Sequence, residues 1–222
     1  MRESEQTDLL PLSTPGEKAL DAAAIVIGVA PWLGGPLAAV LTGMSAARKI
    51  RRIRDVLVRV SIDVKELRTD VQKTYLRSED FEDLLEQTLR VAADERCHEK
   101  RESYGAFLAG AIDSPGEPYD DQIRILRTLE QLQPDHMRLI RALAQAPDLT
   151  NAGYTGSPIQ TLSERLPGMP EPQIDDLVQM LNDLRITNTG ELRLMMTWDG
   201  AQDLRSRITP FGKRFLAFLR PS

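Results

Sequence analysis

Residues Arg48–Val71 read RKIRRIRDVLVRVSIDVKELRTDV, with apolar side chains at Ile50, Ile53, Leu57, Val60, Val64, Leu67 and Val71. Their spacing alternates three and four residues over three heptads, the period of an amphipathic helix that buries one narrow seam. No Gly or Pro interrupts the run, and the pattern predicts a helix that reaches Tyr75. At 1.5 Å per residue it is roughly 40 Å long. Two occupants of the seam are open: an antiparallel helix of the same chain, or further copies in a coiled-coil homo-oligomer. Either makes the fold class mainly α, in keeping with only 5% aromatic residues and an abundance of Leu, Ala and Arg.

Upstream of the heptads, Ala22–Ala47 read AAAIVIGVAPWLGGPLAAVLTGMSAA without one ionisable side chain. About twenty apolar residues suffice to span a bilayer. Eight of these residues are Ala, however, and Pro31-Trp32-Leu33-Gly34-Gly35-Pro36 breaks the middle. The segment reads as a hydrophobic helical hairpin, with Ile25, Val26, Trp32, Leu33, Leu37, Val40 and Leu41 as its membrane-engaging residues. Gly35, Ala39, Gly43 and Ala47 recur every four positions, which lets helix backbones approach closely. A kinked span, a conditionally inserting hairpin and a buried hairpin in an oligomer core all satisfy this pattern. Arg48, Lys49, Arg51, Arg52 and Arg54 follow at once, placed to meet anionic lipid on a cytoplasmic face. The acidic tail of residues 1–21 is unlike the basic start of a secretory signal peptide.

The net charge of −5 conceals blocks of opposite sign. Residues 48–77 carry ten basic and four acidic groups, whereas residues 78–112 carry four basic and nine acidic. Complementary antiparallel helices account for this without an outside partner. The overall balance argues against a surface devoted to nucleic acid. The single cysteine, Cys97, excludes an intrachain disulfide and fits a reducing compartment, either cytoplasmic or at the inner membrane.

After Tyr75, Ser78 is an N-cap, with Glu79, Asp80 and Glu82 in the first turn where acids favour the helix dipole. The helix buries Phe81, Leu85, Leu89 and Ala92, continues through DERCHEKRES and resumes at Tyr104, Phe107, Leu108 and Ala111. Glu95 and His98 form one Glu-x-x-His pattern, but His136, the other histidine, has no Glu three residues before it. A di-iron bundle needs two such motifs. Cys97 continues the stripe from Ala93 to Tyr104 as a small core residue. No phosphate-binding glycine loop, nucleophile elbow or CxxC pair appears, so no catalytic residue, metal ligand or cofactor is assigned.

Beyond the turn Asp113–Pro118, the sequence predicts helices at 119–132, 135–146, 157–166 and 172–186. The period then changes from helix to strand. Leu192, Leu194, Met196 and Trp198 alternate, Asp199-Gly200 offers a turn, and Leu204, Ser206 and Ile208 alternate again before the helix Pro210–Leu219. This order resembles the winged helix-turn-helix domain over roughly 135–220, including the step from Arg207 through Thr209-Pro210 into the last helix. DNA binding is a separate question. The helix at the recognition position carries Asp175, Asp176 and Asp183 against Arg185. Arg193, Arg205, Arg207, Lys213 and Arg214 are the residues with which a wing could touch phosphate.

The runs Glu99–Ile112, Ile123–Leu129 and Pro134–Leu143 resemble the Abi-alpha type of prokaryotic protein over roughly 95–146. That resemblance implies a part in abortive infection, the arrest or death of a phage-infected cell, and supplies no catalytic residues. The resulting plan has an acidic tail at 1–21, a hydrophobic hairpin at 22–47, a helical bundle at 48–133 and a winged helix at 134–222. The leading expectation is a non-enzymatic, self-associating protein that engages or permeabilises a membrane, with the winged helix for protein contact. The alternative is an oligomeric regulator that binds DNA through its wing.

Overall fold

A computed structural model describes residues 47–65, 70–147 and 155–219. The acidic tail and the hydrophobic segment up to Ala46 lie outside the described residues, as does Leu67 of the seam. The chain is mainly α and divides into two compact units between Arg96 and Cys97.

The first unit contains α1 (Ala47–Lys65), α2 (Asp70–Tyr75) and α3 (Glu79–Asp94). Ser78 caps α3 as its sequence suggests, its Oγ accepting the Phe81 N–H at 3.2 Å. Helices α1 and α3 pack antiparallel. At one end the Lys49 Nζ stands 2.6 Å from an Asp94 carboxylate oxygen, and the Arg52 guanidinium donates to the Ala93 carbonyl at 3.0 Å. Ile53, Val56, Leu57 and Val60 of α1 are fully buried, as are Phe81, Leu84, Leu85 and Leu89 of α3. Burial of each such side chain contributes about 1.5–3 kcal/mol relative to exposure. Of the two occupants open for the seam, a helix of the same chain takes Ile53, Leu57 and Val60. Val71, on α2, is 64% exposed.

The second unit begins with α4 (His98–Asp113), so the helix expected to continue through DERCHEKRES stops and restarts. Asp94 and Glu95 place negative charge at a C-terminus, where the dipole disfavours it, whereas Glu99 sits favourably in the first turn of α4. Cys97 occupies the N-cap position and is half-buried rather than a core residue. Helix α5 (Tyr119–Gln131) and α6 (Pro134–Ala144) follow, then strand β1 (Thr155–Gly156), α7 (Pro158–Arg165) and α8 (Glu171–Asp183). Strand β2 (Met196–Thr197), α9 (Trp198–Gln202), a 3-10 turn (Arg205–Arg207) and α10 (Pro210–Phe218) complete it.

Helix α4 packs against α5 and against α10. The Phe107 and Phe218 rings stack with centroids 6.1 Å apart. Gly110 lets the backbones meet, since a Cβ there would lie 2.5 Å from the Phe218 carbonyl oxygen. The boundary expected at 133/134 therefore runs through a packed unit. Helices α6, α7 and α8 form its other side. Arg165 ties three elements together, donating to the Ala142 carbonyl and the Gln202 side chain, both at 2.9 Å.

The expected hairpin between 192–198 and 204–208 is not formed. Met196 and Thr197 pair antiparallel with Gly156 and Thr155, and Ile208 makes a single bridge to Thr187. Asp199-Gly200 opens α9 instead of turning a hairpin, because the Thr197 hydroxyl caps it by accepting the Gly200 N–H at 3.3 Å. The alternation fails with it. Leu192 is buried, but Leu194 and Met195 are 56% and 58% exposed.

Candidate functional site

The cations that sequence reasoning assigned to phosphate divide into two groups. Arg193 lies beside α8, its guanidinium 2.7 Å from Asp175 and 3.5 Å from Glu171. The hydrogen bond and charge of Asp175, aided by Glu171, raise the pKa of Arg193, so it is held more firmly protonated. Arg214, on α10, is 2.9 Å from Glu117 and 3.0 Å from Asp121. Both arginines thus face carboxylates of their own chain. Arg205 and Lys213 are exposed, and the half-buried Arg207 approaches the Met196 sulfur at 3.7 Å. Arg193 and Arg214 are thus compensated by acids, whereas Arg205, Arg207 and Lys213 have no ion pair to a described residue.

Helix α8 itself presents Glu171, Asp176 and Asp183 to solvent, while Ile174, Leu177, Val178 and Leu181 face inward. Its outer face repels phosphate. Its end is unusual. Leu184 caps the helix, Arg185 adopts φ 57°, and the Ile186 N–H returns to the Leu181 carbonyl at 2.9 Å. The Arg185 N–H donates to Asn182 at 2.9 Å, completing a Schellman turn whose left-handed position usually holds glycine. Ile186 and Leu181 are both fully buried and make the hydrophobic pair that accompanies such turns. The Thr209 hydroxyl then donates to the Arg185 carbonyl at 2.6 Å and accepts the Gly212 N–H at 2.9 Å, locking the start of α10 to the end of α8.

In the first unit, Arg48 and Arg51 are exposed without an ion pair to any described residue. Lys49 and Arg52 hold α3 as described, and Arg54 meets Asp55 at 3.3 Å. Ile25, Val26, Trp32, Leu33, Leu37, Val40, Leu41, Gly35, Ala39 and Gly43 lie outside the described residues. The side chains of Ala47, Ile50 and Val64 do so too, although their backbone lies in α1. None of the described helices is long and apolar enough to cross a membrane. Among the described residues, no three of His, Cys, Asp and Glu are grouped so as to hold a metal ion.

His136 has a structural role that its sequence context did not reveal. Its Nδ1 accepts the Gln133 N–H at 3.0 Å, closing a capping box at the start of α6. Burial lowers its pKa, against the opposing effects of the Gln133 backbone and of Asp135, and the Lys100 ammonium adds a smaller lowering. No protein-family model, curated protein or solved structure matches the chain.

Proposed function

We propose that the chain is a non-enzymatic helical protein whose C-terminal unit includes a winged-helix-like module that contacts protein rather than DNA. One observation carries this reading: Arg193 and Arg214, two of the five cations offered to phosphate, are occupied by carboxylates of the same chain. Duplex binding would have to break those pairs and bring DNA against the acidic face of α8. Helices α6, α7 and α8, the β1–β2 pair, the bridge from Thr187 to Ile208 and the closing α10 support a winged-helix-like arrangement. Leu194 and Met195, exposed and next in sequence to the Arg193 that meets Glu171 and Asp175, suit a partner with an apolar contact and a basic rim.

The N-terminal part supports a second component, membrane engagement by residues 22–47. Its support is the uncharged stretch followed directly by Arg48 and Arg51, both exposed on the first turns of α1. Self-association falls to the exposed apolar residues of the first unit, Val58 and the seam residue Val71, which are 46% and 64% exposed. The resemblance of residues 95–146 to Abi-alpha proteins supports the further proposal that this activity serves phage defence. Co-sedimentation with anionic liposomes and duplex titration of the full chain test the two components. We expect liposome binding that Leu33→Arg abolishes, because a charge at the hydrocarbon centre costs about 2.5–3.5 kcal/mol. Absence of wild-type liposome binding would end the membrane component. Salt-sensitive duplex binding that weakens when Arg205, Arg207 and Lys213 are neutralised would overturn the protein-contact reading.

A further inference from the structure

The turn after α8 opens onto a cleft of about 440 Å³, within the size range of small-molecule sites. Its lining includes Arg124, Arg185, Asn188, Thr209 and Phe211, and no lining residue is acidic. In a chain with 33 acidic residues and a net charge of −5, such a place is chemically selective.

Two of its walls are fixed by their own hydrogen bonds. The Thr187 hydroxyl donates to the Asn182 side chain at 2.7 Å, and the Asn182 amide donates to the Thr189 carbonyl at 3.0 Å. Thr209 is already engaged with Arg185 and Gly212. Arg124, Arg185 and Asn188 therefore remain as the side chains that can grip a ligand. Arg124 has its Cζ 4.1 Å from the Phe211 ring centroid, which holds the planar guanidinium flat and leaves its N–H edges for hydrogen bonding. Of the two acids one turn before it, Asp120 and Asp121, the latter is bound to Arg214 at 3.0 Å. Neither Arg124 nor Arg185 has an ion pair to a described residue, in contrast to Arg193 and Arg214. Arginine matches phosphate oxygens in bidentate fashion.

We propose that this cleft binds a small phosphorylated ligand, with its phosphate held by Arg124 and Arg185 and with Asn188 as a neutral donor. The inference is independent of the protein-contact reading. Calorimetric titration of the full chain with pyrophosphate, at low and constant ionic strength, tests it. We expect saturable binding, weakened about tenfold or more by Arg124→Gln and by Arg185→Gly. Lys213→Gln and Arg205→Gln, which change cations outside the lining, should leave the affinity within about twofold. Arg185→Gly is the safeguard against a folding artefact, since glycine suits that turn better than arginine. No saturable binding, or equal losses in all four variants, would overturn the proposal. So would a duplex that displaces pyrophosphate and is itself released by Arg124→Gln, since the cleft would then be a nucleic-acid contact.

Discussion

Replacing Gly212 with Ala offers a severe test of how α10 is seated. Elsewhere in a helix this exchange favours the folded state by up to about 1 kcal/mol. At Gly212 an added Cβ would lie 2.1 Å from the Ile186 carbonyl oxygen, 2.8 Å from the Ile208 Cγ2 and 3.0 Å from the Ile186 carbonyl carbon. Two of these three atoms are backbone, so no rotamer change relieves the clash, and the start of α10 must move by about an ångström. That movement strains the Thr209 N–H bond to the Ile186 carbonyl at 3.0 Å and the Thr209 hydroxyl bonds at 2.6 and 3.1 Å. Each such bond contributes about 0.5–1.5 kcal/mol. Against the intrinsic gain from alanine, the net loss is about 2–3 kcal/mol, or a melting temperature lower by roughly 4–12 °C. Thermal and urea unfolding of Gly212→Ala beside Gly116→Ala measures it. A Cβ at Gly116 meets nothing within 4 Å, so that control should stay within about 0.5 kcal/mol of wild type. Equal stability of the two variants would refute the close approach of α10 to the turn.

Leu57→Ala should lower stability by about 2–5 kcal/mol, the range for a fully buried leucine, and leave the sedimentation coefficient unchanged; dissociation of an oligomer instead would return Leu57 to an intermolecular seam. Arg185→Gly should raise stability by up to about 1 kcal/mol by relieving its left-handed backbone, and a destabilised variant would contradict that geometry. The pH dependence follows from His136, whose pKa lies below 6.5 in the folded chain, so the unfolded state takes up more protons as pH falls through that value. Its stabilising contribution is complete above pH 6.5 and is lost progressively between 6.5 and the lower folded pKa. His136→Gln keeps a side-chain acceptor at the same cap position and should flatten that limb in urea melts between pH 7.5 and 5.0; an unaltered limb would assign it to other groups.

The mainly helical character was legible because it rests on local signals. The seam through Ile53, Leu57 and Val60, the Ser78 cap and the Ser157-Pro158 start of α7 each depend on neighbours within a few residues. The partner of the seam was not legible, since a heptad specifies an apolar face and leaves open whether the same chain or a second copy covers it. The break at 95–97 was missed for a related reason. The charged residues there continue a plausible helical face, and only the unfavourable acids at the end of α3 signalled the interruption.

The C-terminal error shows where local reading misleads about function. Asp199-Gly200 is a strong hairpin signal, yet Thr197 two residues earlier is an equally good N-cap, and pairing with Gly156 and Thr155 decides between them. That pairing joins residues about forty positions apart, a separation at which alternation alone carries no information. The same long-range folding redistributes the arginines. Arg193 and Arg214 looked available along the sequence but meet acids from α8 and from the segment around α5, while Arg124, unremarkable within an amphipathic helix, comes to face Phe211 across the chain. A count of basic residues therefore overstates the wing and overlooks the cleft. Which arginines can accept an outside anion is decided by which carboxylates the fold has already brought to them; by that criterion Arg124 and Arg185 rank ahead of Arg193 and Arg214, and it is the shared cleft that sets them apart from Arg205 and Lys213.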